Sequence, residues 1–271
     1  MVVVTRSMAA RRASLAHALP RDMAVEIAGL VAATSPRPVH DLQSLRASCR
    51  AMRAACGDRA VGRRVALERE AAAMLWSDSE RYLAVVGSLS ATGNPEACFL
   101  AGVALVFAHR CVRPGAELLG QAAAAGHKVA AYVLALVLYK AGDASGAATR
   151  HIRQVEGEAA EAAGGGVGVG GGCSKNTTTW WSNEECVRCR AHAVEAVRQA
   201  TWKMAELEAP VPAVVAPPPE DDVSHGCTVS GCGSREAWCD WCVFCSEDCR
   251  IRYECAMFFS QLPLTVADFV T

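Results

Sequence analysis

A short pattern that recurs after 33 residues in the middle of the chain constrains the fold more than any other feature. The segment 93–101 aligns with the segment 126–134, and the matched positions are Gly93 and Gly126, Ala97 and Ala130, Phe99 and Tyr132, and Leu100 and Val133. A period in the low thirties with helix–turn–helix content is typical of an α-solenoid. The glycine of each segment lies where a preceding helix would end. The pattern therefore predicts stacked helix pairs.

The composition favours the same fold class. Alanine accounts for 51 of the 271 residues, whereas aromatic residues account for only 6%. Alanine has the best helix propensity and a poor strand propensity. We therefore expect a mostly α protein and exclude an all-β sandwich.

Two low-complexity stretches divide the chain. Residues 164–172 read GGGVGVGGG and residues 210–219 read PVPAVVAPPP, which predicts a flexible and a semi-rigid spacer respectively. The predicted order is a basic tail (1–16), a first helical unit (17–60), a helical body (61–163), a Gly-rich linker (164–179), a helix (180–208), a Pro-rich linker (209–222) and a Cys-rich module (223–260). The basic start could alternatively be an organelle transit peptide.

The residue pattern of the repeats, over residues 94–163, resembles that of Sel-like repeats, which are relatives of the tetratricopeptide group. The features that carry this resemblance are an Ala-x-aromatic step that enters a helix and an Ala-Ala-x-x-Gly-His segment that closes the previous one. Such repeats bind proteins on a concave face, and a plain helical core is the alternative. Because about three repeats are needed to bury a continuous core, we expect these two to pack on flanking helices. One flanking helix is predicted to begin at a capping box, Ser77 with Glu80.

Two apolar stripes mark the first helical unit. The first contains Met23, Ile27, Leu30 and Val31, and the second contains Leu42, Leu45, Cys49, Met52 and Cys56. The spacings are four, three and one in the first stripe and alternate between three and four in the second. They predict two short amphipathic helices, one for each stripe, joined by a Pro-containing turn. Their apolar surface either packs on the next helices or is left for a partner.

This unit, residues 17–60, resembles the F-box. A Leu-Pro step, Leu19-Pro20, opens the first helix, and the later Leu45-Arg46-x-x-Cys49-Arg50 step follows the family pattern, although Ala54 and Ala55 stand where many F-boxes have a tryptophan. The resemblance implies docking on a Skp-type adaptor through Leu19, Pro20, Met23, Ile27, Leu45 and Met52. Residues 1–70 hold 12 Lys/Arg against 6 Asp/Glu, which suits the acidic adaptor that the family implies.

Seven cysteines lie within residues 227–255. A segment this short, with few large aliphatic side chains, cannot fold on apolar burial alone, and a structural zinc ion can supply the missing free energy. We predict one zinc ion bound by four thiolates, those of Cys227, Cys232, Cys245 and Cys249. The competing pair is Cys239 and Cys242, which with Cys255 and one more ligand could bind a second ion.

The cysteine module resembles a shortened MYND-type zinc finger. It has a Cys-x4-Cys opening and an aromatic-Cys-Ser-x-x-Cys step but lacks the downstream His-Cys pair.

Together with the F-box-like unit and the Sel-like repeats, this module completes a domain order that resembles a plant F-box family. The predicted fold is therefore an F-box helical unit, a short α-solenoid and a small zinc-stabilised module. The implied function is substrate recognition in a Skp–cullin–F-box ubiquitin ligase in the nucleus or cytoplasm, with an unknown protein target; a scaffold outside any ligase is the alternative.

Several other functions are disfavoured. Residues 220–271 hold 3 Lys/Arg against 9 Asp/Glu, and nucleic-acid binding needs a basic face. The longest uncharged apolar runs, Ala97–Ala108 and Val129–Tyr139, fall short of the ~20 residues a bilayer requires. The sequence shows neither a nucleophile–base pair nor paired carboxylates on one face, so no motif indicates an enzyme. Cys186-x-x-Cys189 could be a redox motif or, with Cys173 and His192, a metal site, but packed structural thiols are the favoured interpretation.

Overall fold

The computed structural model of the chain describes residues 19–142, 145–157, 181–205, 227, 232–233 and 242–262. These residues form twelve α-helices and one two-stranded ribbon, which confirms the mostly α class. They divide into two compact units, Met1–Cys98 and Phe99–Thr271. The predicted basic tail and the two predicted linkers lie outside the described residues.

The first unit is built from six short helices and the start of a seventh. Their bounds are α1 Arg21–Thr34, α2 Pro38–Ser48, α3 Arg50–Ala55, α4 Arg59–Arg64, α5 Ala71–Ser77, α6 Ser79–Thr92 and α7 Pro95–Val103. A 3-10 turn, Leu67–Arg69, precedes α5. Pro20 stands just before α1 and Pro38 begins α2, positions where proline disrupts no helical hydrogen bond.

The core of the first unit forms around small residues of α1. The residues of α1 that are buried are Ala24, Ala28, Gly29 and Ala32. Helices α2, α3 and α4 pack against α1. The backbone N–H of Ala66 donates to the Ala32 carbonyl at 3.0 Å, which fastens the segment after α4 to the end of α1. Because alanine permits close approach, this bundle is tight although it buries few large side chains.

Two local predictions in this unit are wrong. The second apolar stripe is two helices rather than one, because Cys49 takes an extended conformation (φ −161°, ψ 168°) and its Sγ accepts a hydrogen bond from the Met52 N–H at 3.4 Å. The predicted capping box is displaced by one residue: Asp78, not Ser77, caps α6 by accepting from the Arg81 N–H at 3.0 Å. A carboxylate is at least as good an N-cap as a serine hydroxyl.

The second unit contains the remaining helices and the ribbon. After α7 comes a π-helical turn, Ala104–Ala108, and then α8 Val112–Ala124, α9 Lys128–Lys140, α10 Ala147–Glu156, β1 Trp181–Ser182, α11 Glu184–Ala205, β2 Val243–Phe244 and α12 Glu247–Ser260. Helix α9 is central, since every residue from 130 to 137 is buried. Strands β1 and β2 pair antiparallel and bring the segment before α11 to the cysteine module.

The structure repeats at the spacing of the sequence. Gly93 and Gly126 both have left-handed φ angles, 83° and 90°. The next residue caps the following helix in each case: Asn94 Oδ1 accepts from the Ala97 N–H at 3.0 Å, and His127 Nδ1 accepts from the Ala130 N–H at 3.0 Å. The turns that begin α7 and α9 are thus equivalent local structures.

Among the described helices, no single one is long and apolar enough to cross a bilayer. The bent pair Ser79–Thr92 with Pro95–Ala108 reaches the required length and apolar composition only when its two helices are taken together.

Candidate functional site

Four thiols converge in the C-terminal module. The Sγ atoms of Cys227, Cys232, Cys245 and Cys249 all lie within 4.8 Å of one another. Cys245 is in the middle: its Sγ lies 3.3 Å from Cys227, 3.5 Å from Cys232 and 3.6 Å from Cys249. All four are free cysteines. These are the four residues that the spacing predicted, and they are close enough together to hold a metal ion.

Local backbone geometry positions the four thiols. Ser246 caps α12 by accepting from the Cys249 N–H at 3.2 Å, which places Cys249 in the first helical turn. On the other side, Gly233 has a left-handed φ of 77° and donates to the Val243 carbonyl at 2.8 Å. The Cys245 N–H donates to Cys232 Sγ at 3.3 Å. Gly233, directly after Cys232, thus makes a tight turn on this side of the cluster.

The four thiols must lose their protons if the cluster is to bind a metal ion. Burial raises the pKa of Cys245 to about 12, and its hydrogen bonds with neighbouring thiols act in the same direction. Burial likewise raises the pKa of Cys232. Four thiolates cannot share this space without a compensating positive charge, and a bound metal ion deprotonates its cysteine ligands. The donor set is all sulfur, which suits a soft or borderline ion rather than calcium or magnesium.

The alternative ligands are placed differently. Cys242 is not one of the four clustered thiols; its Sγ lies 3.5 Å from the Tyr253 hydroxyl, and its N–H donates to Asn183 Oδ1 at 2.8 Å. Cys239 lies outside the described residues, so a second ion remains a prediction. Cys255 is buried, which raises the pKa of its thiol to about 11.

The Cys186-x-x-Cys189 pair packs inside the second unit. Both residues are buried on α11. Burial raises the pKa of Cys189 to about 12 and that of Cys186 well above its ordinary value. A reactive thiol needs a lowered pKa, so these values disfavour a redox motif and favour the structural interpretation. Cys173, the third residue of the alternative metal site, lies outside the described residues.

A second candidate surface is on α1 of the first unit. Met23, Ile27 and Leu30 follow one another at helical spacing and are 56%, 38% and 53% exposed. We call these three residues the α1 ridge. The helix therefore turns its alanines inward and its largest apolar side chains outward, the reverse of an ordinary surface helix. An apolar ridge of this kind is a candidate binding surface.

The other residues predicted to contact an adaptor lie in the same unit. Pro20 is exposed just ahead of α1, and Leu19, Leu45 and Met52 are half-buried. Leu45 lines a groove of about 550 Å³ between α1 and α2 whose other walls include Val31, next to Leu30 of the ridge.

Reasoning from the sequence missed a buried polar network in the second unit. Glu254 of α12 is fully buried; its Oε2 accepts from the Tyr132 hydroxyl at 2.9 Å, its Oε1 accepts from Asn183 Nδ2 at 2.6 Å, and Arg190 Nη1 lies 3.1 Å away. Glu254 and Tyr132 are 122 positions apart. A buried charge satisfied by three partners fixes one arrangement of the elements that carry them.

The comparisons with known proteins support the prediction of helical repeats. A family model described as plant tetratrico peptide repeats matches residues 71–163. The match begins before the predicted repeat start at residue 94 and includes α5 and α6. Neither an F-box nor a MYND-type family is detected. No curated protein and no solved structure matches the chain. Repeats of this type imply that the chain interacts with other proteins.

Proposed function

We propose that this chain is the substrate-recognition subunit of a Skp–cullin–F-box ubiquitin ligase. The first unit docks on the Skp-type adaptor, a target protein binds through the repeats or the cysteine module, and the chain itself carries out no chemistry. The observation that carries the proposal is the α1 ridge, because Met23, Ile27 and Leu30 are exposed while the alanines of the same helix are buried. Such a subunit works in the nucleus or the cytoplasm.

The surroundings of the ridge support a protein partner. The groove that includes Val31 and Leu45 lies beside it and could receive a side chain of the partner. The carboxylate of Glu26, on the ridge helix itself, is paired with Arg64 at 2.9 Å. The charge left over in residues 1–70 is basic, so an acidic adaptor would meet complementary charge around an apolar centre.

The proposed metal of the cysteine module is zinc. Zinc–thiolate bonds of about 2.3 Å in a tetrahedron set the sulfur atoms about 3.8 Å apart. The observed 3.3–3.6 Å separations around Cys245 are close to that spacing. With four protein ligands the ion has no open position, and its role is structural.

The test is binding of the full-length chain to a purified Skp-type adaptor by isothermal calorimetry. Ile27→Asp and Leu30→Asp are each expected to weaken binding at least ~30-fold, the effect of losing about 2 kcal/mol at an interface centre. Leu83→Asp is the matched control, because Leu83 is 67% exposed on α6 of the same unit. Equal weakening by all three variants, or no binding by the unmodified chain, would refute the proposal.

A scaffold outside any ligase is the second candidate. Ala54 and Ala55 of α3 stand where many F-boxes have a tryptophan, so part of the expected contact set is missing. In that case the α1 ridge would bind a different protein, and the chain would purify from native extract without a cullin.

A further inference from the structure

An aromatic ring of the C-terminal helix lies between the first helices of two successive helix pairs. Phe258 of α12 is fully buried. Its ring stands edge-on to Phe107, with centroids 5.9 Å apart, and edge-on to Tyr132, with centroids 6.0 Å apart. Phe107 belongs to the π-helical turn that ends α7, and Tyr132 belongs to α9. Helix α12 also packs on α9 and α10. We call the surface of the π-helical turn, α9 and α10 that α12 covers the repeat face; solenoids of stacked helix pairs use such surfaces to bind partners.

A carboxylate one turn earlier on α12 adds a specific polar contact to the same face. Glu254 accepts a hydrogen bond from the Tyr132 hydroxyl at 2.9 Å, and Arg190 of α11 lies 3.1 Å from it. Glu254 and Phe258 are four residues apart and therefore lie on one side of α12. The repeat face thus receives an acid and an aromatic ring from one helix, a more selective pairing than apolar burial alone.

The thiol cluster lies at the beginning of that same helix. Cys249 is in the first turn of α12 and Cys245 precedes it by four residues. A metal ion bound by these thiols would fix the start of α12 and hold Glu254 and Phe258 against the repeat face. The metal would therefore reduce the entropic cost of docking α12, as a covalent link of the same length would.

We propose that the repeat face is a binding site for a helix with a carboxylate and an aromatic ring at positions i and i+4. Helix α12 occupies this site within the chain for as long as the cysteine cluster holds its metal. The inference rests on the proposed metal site. Loss of the metal frees the face for a helix of the same chemistry from another protein.

The experiment uses the reduced full-length chain with and without a strong chelator. The probe is a fluorescein-labelled peptide with the sequence of residues 247–260, in which Cys249 and Cys255 are replaced by serine. Fluorescence anisotropy is expected to show at least tenfold tighter binding after chelation. The same peptide carrying Phe258→Ala or Glu254→Gln should bind at least tenfold more weakly than the unmodified peptide. The chain variant Cys111→Ser, which changes an exposed cysteine outside the cluster, should behave as the unmodified chain.

Native mass spectrometry on the same samples separates the two proposals. If the chain binds a metal ion and chelation removes it without strengthening peptide binding, the inference is wrong and the metal site stands. Equal binding of the Phe258→Ala peptide would also overturn it, because the site would then not recognise the aromatic ring. If the purified chain contains no metal and cannot be loaded, the metal site fails and metal control of the face fails with it.

Discussion

At the scale of single residues, Cys245 is the centre of the candidate metal site. Its thiol lies 3.3–3.6 Å from each of the other three, and its backbone N–H donates to Cys232 Sγ. Structural zinc sites with four ligands contribute about 10–16 kcal/mol. One ligand of four is therefore worth on the order of 3 kcal/mol, which is roughly 100-fold in affinity.

Replacing Cys245 with serine should remove most of the bound metal. A serine hydroxyl is a harder and less acidic donor than a thiol, so we expect metal affinity to fall roughly 100-fold. Cys242→Ser is the control, because Cys242 is in the same module but outside the four-thiol cluster. Native mass spectrometry and competition with a zinc indicator measure both variants. Metal loss in Cys242→Ser but not in Cys245→Ser would mean that the ion is bound by the alternative set.

The four clustered cysteines were predictable from sequence, but the buried polar contacts of α12 were not. Paired cysteines a few residues apart are a local signal, and the structure brings those four together. Glu254 depends instead on Tyr132 and Asn183, which are 122 and 71 positions away. A glutamate in an amphipathic helix is ordinarily solvated, so only the packing of α12 reveals that this one is buried.

At the scale of elements, the packing of α1 differs from what periodicity alone suggests. A stripe of Met23, Ile27 and Leu30 predicts a one-sided helix but does not say which side faces the core. Alanines on the opposite side are apolar as well, and the smaller side chains allow α2, α3 and α4 to approach closely. The caps were equally hard to predict, since Ser77 and Asp78 are adjacent and both are good N-cap residues.

Close helix contact within the first repeat pair gives a prediction for α8. A Cβ atom added at Gly115 would lie 2.5 Å from Val106 Cγ2 and 2.9 Å from the Gly102 carbonyl oxygen. Because backbone cannot move away as a flexible side chain can, Gly115→Ala should lower the free energy of unfolding by about 1–3 kcal/mol. Thermal unfolding followed by circular dichroism measures the change.

Gly120→Ala on the same helix is the matched control. Its new Cβ would meet only Leu134 Cδ2, at an ordinary 3.8 Å. Alanine is a better helix former than glycine, so this variant should be more stable by up to about 1 kcal/mol. If the two substitutions had the same effect, α7 and α8 would not be in the close contact that the structure gives them.

At the scale of the whole molecule, charge is separated along the chain although the net charge is only −1. Residues 1–70 carry a surplus of positive charge and residues 220–271 a surplus of negative charge. The matched repeat family covers neither end. Net charge governs association rates and non-specific binding, not the fold, so this separation bears on partners. An acidic partner should therefore be attracted to the N-terminal part of the chain, which carries the α1 ridge.

Adaptor binding should accordingly depend on ionic strength through the association rate. Raising the salt concentration from about 50 mM to 500 mM shortens the Debye length from roughly 14 to 4 Å. The association rate constant should therefore fall about tenfold, whereas the dissociation rate constant, which the apolar ridge sets, should change little. Surface plasmon resonance separates the two rates. Arg46→Glu, an exposed residue of α2 next to Leu45, should lower the association rate constant, whereas Arg113→Glu on α8 should not. An association rate that is the same at both salt concentrations would mean that the basic charge of the first unit plays no part in docking.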